Sequence, residues 1–260
     1  MSTTRILAII PARLGSERLP RKPLHPIAGR PLLEWVWRRV AGFSLFHQVV
    51  VATDSPEIVA ACREWGAVAE LTWPGHESGT ARLAELVARP EYSGYDVVVN
   101  VQGDEPFIEE AHVAAAVAQV VAGFDIGTVA SPVMTVEAWR DPAVVKVVRR
   151  GDGGALYFSR AAIPHVRGGE PDAAALSSSG YLRHIGVYAY RPAVLLGWGE
   201  LPETPLEGLE RLEQLRALSA GLSIGVGVVT AAEGGVDTPE DAARAEQRLG
   251  AGQTQSRDSG

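Results

Sequence analysis

One cysteine, two methionines and two lysines are all that this chain of 260 residues holds of those types. The lone Cys62 excludes an intrachain disulfide framework and suits a reducing cytoplasm. On its helix it reads as a small buried residue rather than a nucleophile. No apolar run approaches the ~18 residues of a membrane span, so no membrane insertion is expected. The apolar run in MSTTRILAIIPAR is too short for a secretory leader. Net positive charge is also lacking: the formal charge is −7 and the pI about 5.4. That argues against a general nucleic-acid binder. No Cys/His cluster has zinc spacing. No G-x-G-x-x-G is present, and Lys22 is followed by Pro23, which breaks the phosphate-loop pattern G-x-x-x-x-G-K-[ST]. Lysine scarcity has its own meaning. Of 24 cations only Lys22 and Lys146 are not arginine. Either codon bias left two survivors or both places need a slender point charge instead of a planar fork.

What is present fits a globular α/β chain: 46% hydrophobic and 21% charged residues, with length enough for one large domain. RILAIIP and QVVVATD read as buried strands. PLLEWVWRRVAGF and DSPEIVAACREWG read as helices, the second marked at both ends. AVAEL, YDVVVNVQGDEP and DIGTVASPV are further strands; SGTARLAELVA and EEAHVAAAVAQVVAG are further helices. This alternation predicts a Rossmann-like, mostly parallel sheet with helices on both faces. After about residue 132 the pattern changes. AVVKVVRRGDGGALYFSR predicts an antiparallel hairpin, and LRHIGVYAYR a strand. PLEGLERLEQLRALSAG predicts one amphipathic helix with leucines at 206, 209, 212, 215 and 218. LSIGVGVVT predicts a strand, and VDTPEDAARAEQRLG a capped last helix. The expectation is a single domain over residues 1–250, with its core at 1–131 and 220–249 and a smaller mixed lobe at 132–219. Residues 251–260 read as a disordered polar tail.

Right-handed crossovers put the C-terminal ends of parallel strands on one edge, where ligands bind. ARLGSERLPRK, ATDSPE and NVQGDEP follow such strands and are expected to converge. The first gathers Arg13, Arg18, Arg21 and Lys22 around Gly15. A turn with exposed N–H groups and several cations suits polyanion oxygens; a solvated basic loop is the plainer alternative. Asp104 and Asp237 follow strands and offer the hard oxygen ligands that Mg²⁺ takes. Each alone also reads as a turn or helix cap. Together with the basic loop they are the parts of a phosphoryl-transfer site. His76 and His184, each beside Gly or Arg in a polar motif, are either site groups or structural hydrogen-bonders.

IIPARLGSERLPRKPLHPIAGRPLLEWV resembles the opening of sugar nucleotidyltransferases. With HESGTARLAEL, VNVQGDEP, AVVKVV, ALYFSRAAIP, LRHIGVYAYR, PLEGLERLEQLRAL and GVDTPED, the chain resembles the 3-deoxy-manno-octulosonate (Kdo) cytidylyltransferases from about Ile6 to Ala242. The resemblance implies CTP and a small anionic acceptor as substrates, Mg²⁺ as cofactor, and a homodimer. It implies nucleotide contacts from Ala12, Arg13, Gly15, Ser16, Lys22, Ser78, Gly79 and Gln102, with Arg13, Lys22 and Asp104 catalytic. It implies Asp104 and Asp237 as metal ligands. Gln102, Arg160, Arg167, His184, Tyr188, Glu213 and Gln214 fall where the family binds its acceptor. The chain departs from the family at Arg21, where glycine is usual, at Ala81, where an acid is common, and at His165 and Val166. Kdo is the default acceptor the resemblance implies; because these departures lie toward the acceptor side, another anion such as phosphonoformate is the alternative. A nucleotide-sugar glycosyltransferase would be expected to carry a paired-acid motif where this chain has QGDEP. A binding module without activity would not need Lys22, Asp104 and Asp237 together.

Overall fold

Ile6, Leu7, Ala8, Ile9 and Ile10 are apolar at every position, the pattern of a strand buried on both faces. In the computed structural model, which describes residues 4–16, 18–176, 180–230 and 234–257, they form β1 (Ile6–Ala12) and are almost wholly buried. The chain divides into two compact units. The first comprises Ile6–Tyr92, Asn100–Ile108 and Glu233–Gly260. The second comprises Met1–Arg5, Ser93–Val99 and Glu109–Ala232.

In the first unit a small antiparallel hairpin, β2 (Pro26–Ile27) and β3 (Arg30–Pro31), leads into α1 (Leu32–Ala41). β4 (Gln48–Thr53) pairs in parallel with β1, Leu7 opposite Gln48 through Ala12 opposite Thr53. α2 (Pro56–Trp65) starts at Ser55, whose hydroxyl accepts from the Ile58 N–H, and stops at Gly66 with φ 80°. That left-handed stop is cheap only for glycine. β5 (Val68–Leu71) pairs in parallel with β4, and α3 (Gly79–Val87) follows.

β6 (Val97–Asn100) belongs to the second unit in its first three residues. α4 (Glu110–Val121), β7 (Ile126–Pro132) and α5 (Val136–Arg140) come next. β8 (Lys146–Arg149) and β9 (Ala155–Ser159) form the expected antiparallel hairpin, with Gly153 at φ +92° in its turn. After α6 (Ala173–Leu176), β10 (Leu182–Tyr190) runs antiparallel to both β7 and β8. The sheet is mostly parallel, as expected, and its antiparallel strands are concentrated in this unit, where the smaller mixed lobe was expected.

The leucine-rich segment corrects the expectation of one helix. After α7 (Pro192–Leu196) it forms two short ones, α8 (Pro205–Glu210) and α9 (Gln214–Ser219). Arg211 between them is left-handed at φ 52°. Leu212 and Leu215 are buried, but Leu206 and Leu209 are 43% and 81% exposed. The period is interrupted because Glu210 is tied to β9: its carboxylate accepts from Ser159 Oγ and from the Arg160 N–H. β11 (Ile224–Val228) pairs in parallel with β7 and completes the unit.

The chain then returns to the first unit through α10 (Pro239–Arg257). Helix thus continues into the stretch read from sequence as a disordered tail, of which residues 258–260 lie outside the described ones. Leu19, Ile27, Leu32, Val236, Ala242 and Ala245 form one buried cluster, with Trp35 and Phe107 packed on it. This cluster fastens the basic loop, the β2–β3 hairpin and the start of α10 together.

Candidate active site

Two of the polar stretches expected to converge, those after β1 and β6, carry Lys22 and Asp104, and the GVDTPED segment after β11 carries Asp237; the fold joins these three residues directly. Lys22 Nζ donates to Asp104 Oδ2 and, at 2.7 Å, to Asp237 Oδ1. Arg18 reaches the other oxygen of Asp237 at 3.1 Å. Burial alone lowers the Lys22 pKa, but the two carboxylates outweigh it and hold the ammonium above its ordinary 10.5. Around this contact the first unit forms a cavity of about 910 Å³. Pro11, Ala12, Arg13, Gly15, Ser16, Ser78, Gly79, Gln102 and Gly103 line it, with His76, Glu77 and Arg82. All ten nucleotide-side and metal-side residues expected from the sequence therefore meet in one cavity of a size suited to a nucleotide.

Neither acid is spent on capping. At α10 the cap is Thr238, whose Oγ1 accepts from the Asp241 N–H at 3.2 Å while Asp241 accepts from the Thr238 and Asp237 N–H groups. At α4 it is Glu109, paired reciprocally with His112. The backbone of Asp104 is pinned as well: its carbonyl accepts from the Val236 N–H at 2.9 Å, tying the two acid-bearing segments together. Gly103 is needed for close approach, since a Cβ there would lie 2.9 Å from the Pro11 carbonyl oxygen. Gly103→Ala must push β1 and the Asp104 turn apart, costing about 1–3 kcal/mol. Thermal denaturation reads that loss, and an unchanged Tm would refute it.

Other residues acquire definite roles. Ser78 caps α3, accepting from the Ala81 N–H at 3.1 Å, and presents Gly79 at the cavity wall. His76 Nε2 lies 2.6 Å from Glu85, which also accepts from the Trp73 N–H and from Arg89. These bonds fix the loop leading into Ser78. Arg82 was not singled out from sequence. It is buried, paired with Asp54 at 2.9 Å and with Thr72, and it lines the cavity. A signal existed: Arg82 lies three residues past Gly79, and Asp54 lies in ATDSPE, one of the converging stretches. Arg21 pairs with Glu57 and does not line the cavity. Its φ of 55° is left-handed, a conformation that glycine adopts more cheaply than arginine. Cys62 is buried, and burial pushes its thiol up to about 11, so it stays a protonated core residue.

The remaining expected residues lie in the second unit. Arg160 donates to the carbonyls of Glu210 and Pro142 and is held at the end of β9. Arg167 is exposed on the 165–180 stretch, whose residues 177–179 fall outside the described ones. Gln214 is buried and Glu213 is partly so. His184 Nε2 is 3.0 Å from Thr128 Oγ1, and its ring packs between Phe158 and Tyr188. Burial holds the Tyr188 phenol well above its ordinary 10 and pushes the His184 imidazole down to about 3. The unfolded chain protonates that imidazole near 6.5, so stability falls as pH drops from 6.5 toward about 3. His184→Gln keeps a hydrogen-bonding side chain without the titration. Its unfolding midpoint should depend less steeply on pH across that window, and an unaltered slope would assign the dependence elsewhere.

Two carboxylates facing a basic cavity fit Mg²⁺, which binds through one or two protein oxygens and completes its shell with phosphate and water. Among the described residues no group of three or more His, Cys, Asp or Glu forms a fuller metal cage.

This arrangement of a basic loop after the first strand, two strand-end acids and an α/β sheet defines a nucleotidyltransferase. The chain matches the cytidylyltransferase family over residues 7–224. It is 51% identical to the 3-deoxy-manno-octulosonate cytidylyltransferase of Gemmatimonas aurantiaca over 241 residues, 92% of each chain. It is 46% identical to that of Syntrophotalea carbinolica, covering 94% of this chain and 98% of the relative. A solved CMP:2-keto-3-deoxy-manno-octonic acid synthetase complexed with CTP superposes with a TM-score of 0.86 at 36% identity, over 95% of this chain and 98% of that one. The chain belongs to the 3-deoxy-manno-octulosonate cytidylyltransferase family.

Proposed function

We infer that the chain transfers the cytidylyl group of CTP to 3-deoxy-manno-octulosonate, releasing pyrophosphate and yielding the CMP-sugar. The observation that carries this reading is the meeting of Lys22, Asp104 and Asp237 in a basic cavity of nucleotide size. The names of relatives 41–51% identical to this chain support the acceptor. An acceptor oxygen attacks the α-phosphorus in line as the bond to the β-phosphate oxygen breaks. Arg13 and Lys22 offset the charge that gathers on the leaving pyrophosphate. The Gly15 turn and Ser16 cradle phosphate oxygens, while Ser78, Gly79 and Gln102 bound the cytidine side. Asp104 and Asp237 would hold Mg²⁺, which when bound supplies positive charge to phosphate and acceptor oxygens. Positioning and charge suffice, with no covalent enzyme intermediate. Arg160, Arg167, His184, Tyr188, Glu213 and Gln214, with Gln102, serve the acceptor in this reading.

The same reading includes a cytoplasmic homodimer. Exposed Leu156 on β9 and Leu209 on α8 suit a face covered by a second copy, the two elements being linked through Glu210. Pyrophosphate release from CTP, measured with 3-deoxy-manno-octulosonate and separately with phosphonoformate, is the deciding experiment. Release with the sugar acid supports the reading. Release with phosphonoformate alone moves the acceptor to the phosphonate class, and release with neither overturns the acceptor assignment altogether.

A further inference from the structure

We propose that Lys22 is a resident cation that keeps a divalent metal out of the Asp104–Asp237 pair until a triphosphate draws the ammonium away, so that metal and nucleotide enter together. The inference rests on the nucleotidyl-transfer reading for the identity of the incoming ligands. One ammonium touches Asp104 Oδ2 and lies 2.7 Å from Asp237 Oδ1, and the Lys22 side chain is only 14% exposed. A Mg²⁺ ion binds carboxylate oxygens at about 2.0–2.1 Å and sheds water reluctantly. An ammonium seated on both of these oxygens opposes a second cation there by charge repulsion and by crowding its approach. Without nucleotide, displacement strands the Lys22 charge in a half-buried wall. With nucleotide, the phosphates accept the ammonium and also supply the metal with further oxygens.

The backbone leaves only the side chain free to carry out the exchange. Lys22 starts a short 3₁₀ turn, Lys22–Leu24, fixed by Leu24 N–H to the Arg21 carbonyl at 2.8 Å and His25 N–H to the Lys22 carbonyl at 3.1 Å. Pro23 is buried behind it. A four-carbon stem can swing a point charge between two anions by bond rotation. An arginine fork would bind carboxylates bidentately and release them less readily. That gives a physical reason for lysine here, in a chain that uses arginine for nearly every other cation. Arg18 holds only the outer oxygen of Asp237, with a side chain 67% exposed, and does not bridge the two acids.

The test is direct binding of Mn²⁺, followed by its electron paramagnetic resonance signal, to the nucleotide-free protein and again with CTP. Lys22→Met should bind Mn²⁺ without nucleotide at least about tenfold more tightly than the parent, the scale on which a neighbouring charge shifts a carboxylate's cation affinity. CTP should then raise Mn²⁺ affinity far less in the variant than in the parent. Lys22→Gln should behave likewise if the methionine variant does not fold. Adding Asp104→Asn to either should cancel the gain and so locate the ion. Equal or weaker Mn²⁺ binding in the folded variant overturns the proposal, as does a gain that survives Asp104→Asn. Pyrophosphate release decides the transfer reading separately, because a protein without turnover still yields the nucleotide-free Mn²⁺ comparison.

Discussion

Replacing Lys22 with alanine lowers turnover about 10²–10³-fold, the loss typical when one aimed charge is removed from a transition state. The geometry indicates why neighbouring cations do not compensate. Arg18 is tied to Asp237, Arg21 to Glu57 and Arg82 to Asp54. Arg13 lines the cavity, but from the other end of the basic loop. Charge on the departing pyrophosphate grows as the reaction proceeds, so the lost interaction is stronger in the transition state than with bound CTP. kcat should therefore fall more than KM for CTP rises. Lys22→Arg restores charge but not shape, and should recover only part of the rate. Initial-rate measurements of pyrophosphate release decide the matter. Activity of Lys22→Ala within about threefold of the parent would falsify the role.

Much of the frame that positions Lys22 was legible because it is local. An apolar run such as Ile6–Ala12, a Ser-Pro start before α2 and a Gly-Asp-Gly-Gly turn each act over a few residues. Convergence of the stretches after β1 and β6 followed from the handedness of parallel crossovers, whereas ATDSPE lies outside the cavity lining and meets it through Asp54 on Arg82. The direct clamp was not legible, since Lys22 meets partners 82 and 215 positions away. Sequence placed the ammonium on phosphate and the acids on metal; the fold binds them to each other. The break at Arg211 was hidden for a similar reason. Five leucines kept a helical period, but the pull of β9 on Glu210 is a tertiary contact that no period encodes. Arg21 read as an additional charge for the ligand. Its left-handed backbone and its bond to Glu57 make it a turn residue outside the cavity lining.

Lys146→Met is expected to cost about 3 kcal/mol of stability, lowering Tm by about 6–12 °C. Lys146 is wholly buried at the start of β8. Its three donors meet three backbone carbonyls: Asp141 at 2.8 Å, Val144 at 2.6 Å and Arg160 at 2.7 Å. Methionine fills nearly the same volume but satisfies none of them, and each carbonyl stranded without a donor costs about 1–3 kcal/mol. Relief from burying a charge offsets part of that sum, which is why the net figure is near the cost of one or two carbonyls rather than three. Arginine should do no better, because a fork does not fit a closed cage shaped for a tetrahedral ammonium. The sign of the pH dependence separates the charge from the packing. Burial holds the Lys146 pKa below its ordinary 10.5. Between the lowered value and 10.5 the unfolded chain binds the extra proton, so the lysine contributes stability that rises with pH through that window. The difference in unfolding free energy between the parent and Lys146→Met should widen as pH climbs toward 10.5. A constant difference would mean that the side chain matters only for its volume.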